Sequence, residues 1–314
     1  MRQLLSILSL ILAGLLAAAA LAGYQADQLL RDEEPIREIA GELPEQSEFS
    51  EAVASTMVSE LSEQIPDQAR QLLGTGIEEQ AEAMVSDIVA SLLENDRTRA
   101  AWDETLQSTR TDWTAQMEEL FDAGSTGSAE ELNVEVDLSP VASAMTEPLR
   151  EGLDSYLGWI PGLDSADFDV LAPEIVVDVD AAAGQEAQTD PYAVATVVAG
   201  SEHWLWFAVG SGLLLVLGLV IGVGKSRWAG LAAGGLVAGV LGLWLALSVA
   251  APSFDIPPDA DPAMAAVLQH VEESFTAWAQ PSWWIFIAGA ALLLIIGVLG
   301  SLVAPGARRV EARA

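Results

Sequence analysis

Hydrophobic positions gather along this chain in four uninterrupted runs separated by strongly polar sequence. The first covers Leu4 to about Gly23, the second and third are Trp204–Val223 and Trp228–Ala250, and the fourth is Trp283–Ala304. Each is about 20 residues long, enough to cross a hydrocarbon layer of roughly 30 Å at about 1.5 Å per residue. None contains Asp, Glu, Lys or Arg. The pattern predicts four transmembrane helices, within residues 1–23, 203–224, 228–250 and 283–304.

The sequence between the first two runs has a different rhythm. Residues 24–46 are acidic and broken by Pro35 and Pro44, and read as a stalk or an extended helix. Within 47–190, Phe49, Val53, Met57, Leu61 and Ile65 form one stripe ending near Pro66. Thr75 with Glu78 makes a capping box ahead of Ile77, Ala81, Met84, Ile88 and Leu92. A third helix starts around Asn95 or Asp96 and carries Trp102, Leu106, Trp113, Met117 and Leu120 on one face, until Gly124-Ser125-Thr126-Gly127 stops it.

The period then shortens to two. Val134, Val136 and Leu138 alternate with acids, as Ile175, Val177 and Val179 do later, and Ser139-Pro140 opens a helix between them. This predicts a small β-α-β element, its strands parallel if adjacent. In the 251–282 loop, Met264, Leu268, Val271, Phe275 and Trp278 predict an amphipathic helix over 262–280. That stripe is expected to pack on the acidic domain's helices, with an interfacial or partner-docking helix as the alternative. The fold class is an α-helical integral membrane protein: four transmembrane helices plus a mainly α extracytoplasmic domain with a small two-stranded β-α-β element.

Charge gives this layout a direction. The chain has 46 acids and 13 bases in 314 residues, a net charge of −33, yet 51% of it is hydrophobic. Simple disorder is excluded by the apolar content. Tyr24–Glu202 holds 40 acids and seven arginines, and residues 251–282 hold five acids and no base. Arg2, Lys225, Arg227, Arg308, Arg309 and Arg313, against Glu311 alone, flank the runs on the other side. Basic flanks mark the cytoplasm. A multi-pass plasma-membrane protein is therefore expected, with both termini and the Lys225–Arg227 turn inside, and 24–202 and 251–282 outside. Trp204, Trp206, Trp228, Trp283 and Trp284 sit at the predicted boundaries, where indoles favour the lipid interface. Ala20-Leu21-Ala22 before Gly23 has the form of a signal-peptidase site, but the apolar run of about 19 residues exceeds the roughly 7–15 of a signal core. The segment reads as an anchor, with a cleaved signal peptide as the alternative.

Small residues suggest how the spans meet. Gly230, Gly234, Ala238 and Gly242 recur every fourth residue, with Gly235 and Gly239 beside them, and Gly210, Gly218 and Gly222 share a stripe. Such positions let backbones approach closely. The short turn makes an antiparallel pair of spans two and three the expected arrangement, and a homo-oligomer seam the alternative. Ser211, Ser248 and Ser301 are expected to bond back to their own helices.

Candidate chemistry is sparse. With no cysteine, thiolate ligands, thiol nucleophiles and disulfides are excluded. His203 reads as an interfacial residue and His270 as a surface one. No GxSxG, GxxxxGK[ST], HExxH or GxGxxG in the required context is present, so no enzyme activity is expected. Glu135, Asp137, Asp178 and Asp180 would gather if the two strands paired, and oxygen ligands suit Ca²⁺ or Mg²⁺, although without a Gly-containing calcium loop the solvated face of an acidic sheet is the favoured reading. The acidic exterior repels phosphate, which excludes nucleic acid as an expected partner. Spans without ionisable groups argue against a pump or carrier.

The order Trp102…Trp113, Val136-Asp137-Leu138-Ser139-Pro140 and Ile175–Val179, followed by three closely spaced spans, resembles uncharacterised multi-span membrane proteins of high-GC Gram-positive (actinobacterial) type. Only one lysine, Lys225, among 13 basic residues fits such a genome. In topology alone the chain is similar to permeases of the MacB and FtsX types, from which it departs at its very short inner turn. The expected function is a non-enzymatic envelope protein whose exported domain is an interaction, sensing or accessory-subunit module, with lipid and a protein partner or second copy as partners. A transport-linked subunit, either a mechanotransmitting permease or an oligomeric channel, is the alternative.

Overall fold

The computed structural model describes residues 2–47, 49, 95–124, 135–137, 141, 144, 176–178, 191–253 and 262–304. The described chain is almost entirely helical. Helices α1 (Arg2–Arg31), α2 (Glu34–Ala40) and α3 (Asp96–Ala123) are followed by α4 (Pro191–Ser201), α5 (Trp204–Ile221), α6 (Lys225–Ser248) and α7 (Pro262–Val303). Four of these, α1, α5, α6 and α7, are long and apolar enough to cross a membrane. The stripes over 49–65 and 75–92, the helix opened by Ser139-Pro140, and the 181–189 linker lie outside the described residues, apart from isolated positions.

The outer helices of this set are longer than a membrane is thick. At about 1.5 Å per residue, the 42 residues of α7 extend about 63 Å, twice the roughly 30 Å of hydrocarbon. The expected amphipathic helix and last span are thus one continuous element, and Pro281 lies inside it. Proline removes the N–H that would bond the Ala277 carbonyl. Inside a membrane bundle neighbouring groups re-satisfy such a turn, so the helix continues. Likewise α1 runs on past Gly23 for two further turns to Arg31.

Close approaches between the spans run in the order α5, α1, α6, α7. The expected tight pair of spans two and three is therefore corrected. The helices α5 and α6 meet at their turn, where a Cβ on Gly222 would strike Arg227 and Ser6, but α1 packs against both. The glycines explain why. A Cβ on Gly218 or Gly230 would clash with Leu10, and one on Gly234 would meet the Leu10 carbonyl. Gly14 in turn sits over the Gly234 carbonyl. On the other side of α6, Gly235 faces Ala290 and Leu294, and Gly242 faces Phe286, so this flank receives α7. Two offset small-residue stripes on one helix make two close seams, each with a different partner. Gly239 has an ordinary contact with Ala290, and Gly210 with Leu16.

Polar groups lock α1 to α5. Ser6 Oγ donates to the Gly218 carbonyl at 2.6 Å, and Ser211 Oγ to the Ala13 carbonyl at 2.8 Å. The expectation that Ser211 bonds within its own helix is thus overturned, because a glycine-sized gap brings a foreign carbonyl into reach. Ser301 does bond back, to the Val298 carbonyl.

The predicted β-α-β element is not supported. Glu135–Asp137 (β1) and Val176–Asp178 (β2) are three residues each and pair antiparallel, whereas a β-α-β crossover requires parallel strands.

Candidate functional site

The chemistry of the described residues concentrates where α1 and α7 leave the apolar layer and meet α2, α3 and α4. At the first level, Gln25 bridges two spans. The Trp283 indole N–H donates to Gln25 Oε1 at 2.6 Å, and Gln25 Nε2 donates to the Ala279 carbonyl at 2.8 Å. Both amide ends of Gln25 are used by one neighbouring helix, two residues either side of Pro281. Trp283 is only 1% exposed and packs with Ala246, Ala250 and Ala279, with Phe275, Trp278 and Phe286 around them.

One turn higher, the end of α1 is held by α3. A helix C-terminus carries unpaired carbonyls and a partial negative charge. Arg110 Nη1 donates to the Leu30 carbonyl at 2.6 Å, supplying donor and charge together. Thr114 Oγ1 also points at this carbonyl. Arg31 reaches outward to Asp27 at 2.8 Å, Ser201 Oγ at 3.0 Å and Glu118 at 3.1 Å, joining α1, α4 and α3. Beneath lies a small core of Leu30, Met117, Ala195 and Val198, flanked by Trp113 and Leu120. The helix α3 that supplies these groups is well terminated: Asn95 Oδ1 accepts from the Arg97 N–H, and Gly124 turns the chain with φ +69°.

The helix α2 is clamped at both ends. The buried Trp102 indole donates to the Ala40 carbonyl at 2.8 Å, and Gln107 Nε2 to the Glu33 carbonyl at 3.2 Å. Between them Arg37 grips Asp103 with two bonds of 2.5 and 2.8 Å. That guanidinium holds the Asp103 carboxyl below its ordinary value. The contribution of the pair is full above the unfolded carboxyl pKa of about 3.9 and is lost as pH falls through the lower folded value. Asp103→Asn is expected to lower the melting temperature slightly at pH 7, and to unfold together with the parent in strong acid. Thermal melts across pH read this directly, and a difference that persists in strong acid contradicts it.

The sequence-predicted site residues fall into separate places. Glu135 lies opposite Asp178 in the backbone register, but Asp137 is set against Val176, and Asp180 lies outside the described residues. Among the described residues, no group of three or more His, Asp or Glu side chains is placed to hold a metal. His203 stands at the head of α5 and makes no side-chain cap bond. His270 Nε2 is 3.4 Å from Ser274 Oγ, one turn along α7. The backbone N–H groups there are engaged in the helix, so the pair lacks an oxyanion site. An open groove beside Pro281 is lined by Glu272, Glu273, Thr276, Gln280 and Trp284.

The tryptophans divide. Trp206 is 73% exposed and Trp284 is 47% exposed. Trp204 stacks edge-on to Tyr24, and Trp228 lies under the Arg227 guanidinium. Trp283 is corrected: it was expected to anchor at the lipid interface, but its ring is enclosed by protein because Gln25 offers a polar acceptor inside. Gln25, Arg31 and Arg110 carry the site, and no spacing pattern in the sequence marks them. No known protein family, curated protein or solved structure matches the chain.

Proposed function

We propose that this is a non-enzymatic, membrane-anchored envelope protein whose exported acidic domain acts as an interaction, sensing or accessory-subunit module on a four-helix base. The observation that carries it is the continuity between layers. Two spans, α1 and α7, run beyond the apolar layer, are tied together by Gln25, and are held by Arg110 and Arg31 to the helices above. A load on α3 is thereby delivered to the ends of two spans. The spans themselves contain no ionisable group with which to bind or move an ion.

The reading places α2, α3 and α4 outside and the Lys225–Arg227 turn inside, from the basic flanks. The absence of native cysteine makes this simple to test. A membrane-impermeant maleimide is expected to label Gln116→Cys in intact cells and Ser226→Cys only after lysis. The reverse order refutes the orientation. In the same reading α1 is retained, since removing it would strip α5 of its main neighbour and α6 of one of its two. The amino-terminal peptide of the mature protein is expected to lie upstream of Gly23, and a start at or near Gly23 contradicts this.

The transport-linked reading is separated by reconstitution. Purified protein in liposomes is expected to pass no ions and to carry no stoichiometric ATPase. Either finding would replace the accessory-module reading with the permease or channel one.

A further inference from the structure

We infer that the turn between α5 and α6 is a docking site for the headgroup of an anionic membrane phospholipid. The argument begins with how the basic side chains are used. At the opposite end, four of the five described arginines, Arg31, Arg37, Arg99 and Arg110, are bonded to acids or carbonyls of the fold, and only Arg97 is left to solvent. Arg2, Lys225 and Arg227 are exposed and make no ion pair or side-chain hydrogen bond with any described residue.

The packing gathers these three bases at one place. Ser6, one turn beyond Arg2, bonds the Gly218 carbonyl, and a Cβ on Gly222 would touch both Ser6 Oγ and Arg227 Cβ. The start of α1 and the start of α6 therefore adjoin. No described Asp or Glu lies in this half of the spans, the acids of α1 and α7 and Glu202 being at the other end. Among the described residues these three positive charges have no protein counter-charge, which leaves them available to an anion.

Local backbone and ring geometry fit a phosphate at membrane depth. The 24-residue helix α6 starts after Gly224, at φ +63°; the Ser226 N–H goes to the Val223 carbonyl, and no side chain caps the rest of the first turn. Trp228, with the Arg227 guanidinium 5.1 Å from its ring centre, fixes that cation at the level where indoles meet headgroups. A soluble phosphate would share the anion chemistry, but the flanking apolar spans favour a ligand with acyl chains. Exposed Val220 and Val223 lie directly beside the turn. The inference needs only that the spans are in a membrane, and holds for either orientation.

The test uses the full chain in detergent, titrated with phosphatidylglycerol or phosphatidylcholine and read by native mass spectrometry. Phosphatidylglycerol is expected to be retained in preference to phosphatidylcholine. Lys225→Gln with Arg227→Gln is expected to weaken phosphatidylglycerol binding about 30-fold, at about 5-fold per base. The charge-keeping pair Lys225→Arg with Arg227→Lys should bind like the parent, as should Arg97→Gln in the other layer. If the doubly neutral variant does not insert, Arg2→Gln carries the same test with about a 5-fold loss. Equal retention of both lipids, or unchanged binding by the neutral variants, overturns the proposal. Displacement of the lipid by millimolar inorganic phosphate overturns the lipid assignment.

Discussion

Replacing Trp283 by alanine will destabilise the folded protein by about 3–5 kcal/mol, the range for deleting a fully enclosed large ring. The ring is 1% exposed and forms a core with Ala246, Ala250 and Ala279, whose methyl groups are too short to fill the space it would leave. Its loss also leaves Gln25 Oε1 without its donor. Trp283→Phe separates the two effects, since it keeps much of the packing and removes only the N–H, at about 1–2 kcal/mol. Gln25→Ala removes the other half of the same bond. The two changes together should therefore cost less than their sum, by about 0.5–3 kcal/mol. Trp206→Ala is the control, because that ring is mostly exposed in the apolar layer and its removal should cost under about 0.5 kcal/mol. Denaturation of the purified protein in lipid nanodiscs measures all five. Equal losses at Trp283 and Trp206 would show that the clasp does not exist.

Gly234→Leu should also destabilise the bundle. Any Cβ here meets the backbone carbonyl of Leu10, and Gly14 sits reciprocally over the Gly234 carbonyl. Backbone cannot rotate aside as a side-chain tip can, so α1 must move off α6. Overpacking of this kind costs about 1–3 kcal/mol, occasionally more. The displacement also threatens the neighbouring Ser6 and Ser211 bonds. Gly212→Leu adds the same side chain at a position with nothing within 4 Å and should be tolerated. The contrast is read from folded yield and melting temperature. Matched behaviour of the two variants would refute the seam between α1 and α6.

These predictions rest on features of unequal visibility in the sequence. The four spans were legible because length and apolarity alone decide whether a helix suits a hydrocarbon layer. The glycines of α6 were visible as a stripe, but a stripe does not name its partner. Gly230 and Gly234 receive Leu10 of α1, whereas Gly235 and Gly242 receive α7, and only the three-dimensional order separates those faces. A short turn guarantees that two helices are near at one end, and a third helix can still divide them above it.

The site was the least legible part. Pro281 suggests a boundary by local rules, yet the helix passes through it with Gln25 bonded to the Ala279 carbonyl nearby. Gln25 and Ala279 are 254 positions apart, and no periodicity links them. Arg110 and the Leu30 carbonyl are similarly remote, at 80 positions. Trp283 followed the statistical preference of tryptophan for the interface only until a specific acceptor outweighed it. Alternation around Glu135 and Asp178 does not fix strand direction, and the antiparallel register sets Glu135 opposite Asp178 but Asp137 opposite Val176.

The central claim, that the exported helical layer works through a protein partner, is tested most directly by site-specific photocrosslinking in native membranes. A photoreactive amino acid is placed at Asp112, Gln116 or Glu119, along the exposed face of α3. The account predicts one protein partner captured in stoichiometric amount from all three positions and absent from Leu213 in the apolar layer. Capture of no protein at any of the three, with the purified chain alone conducting ions across liposomes, would contradict it.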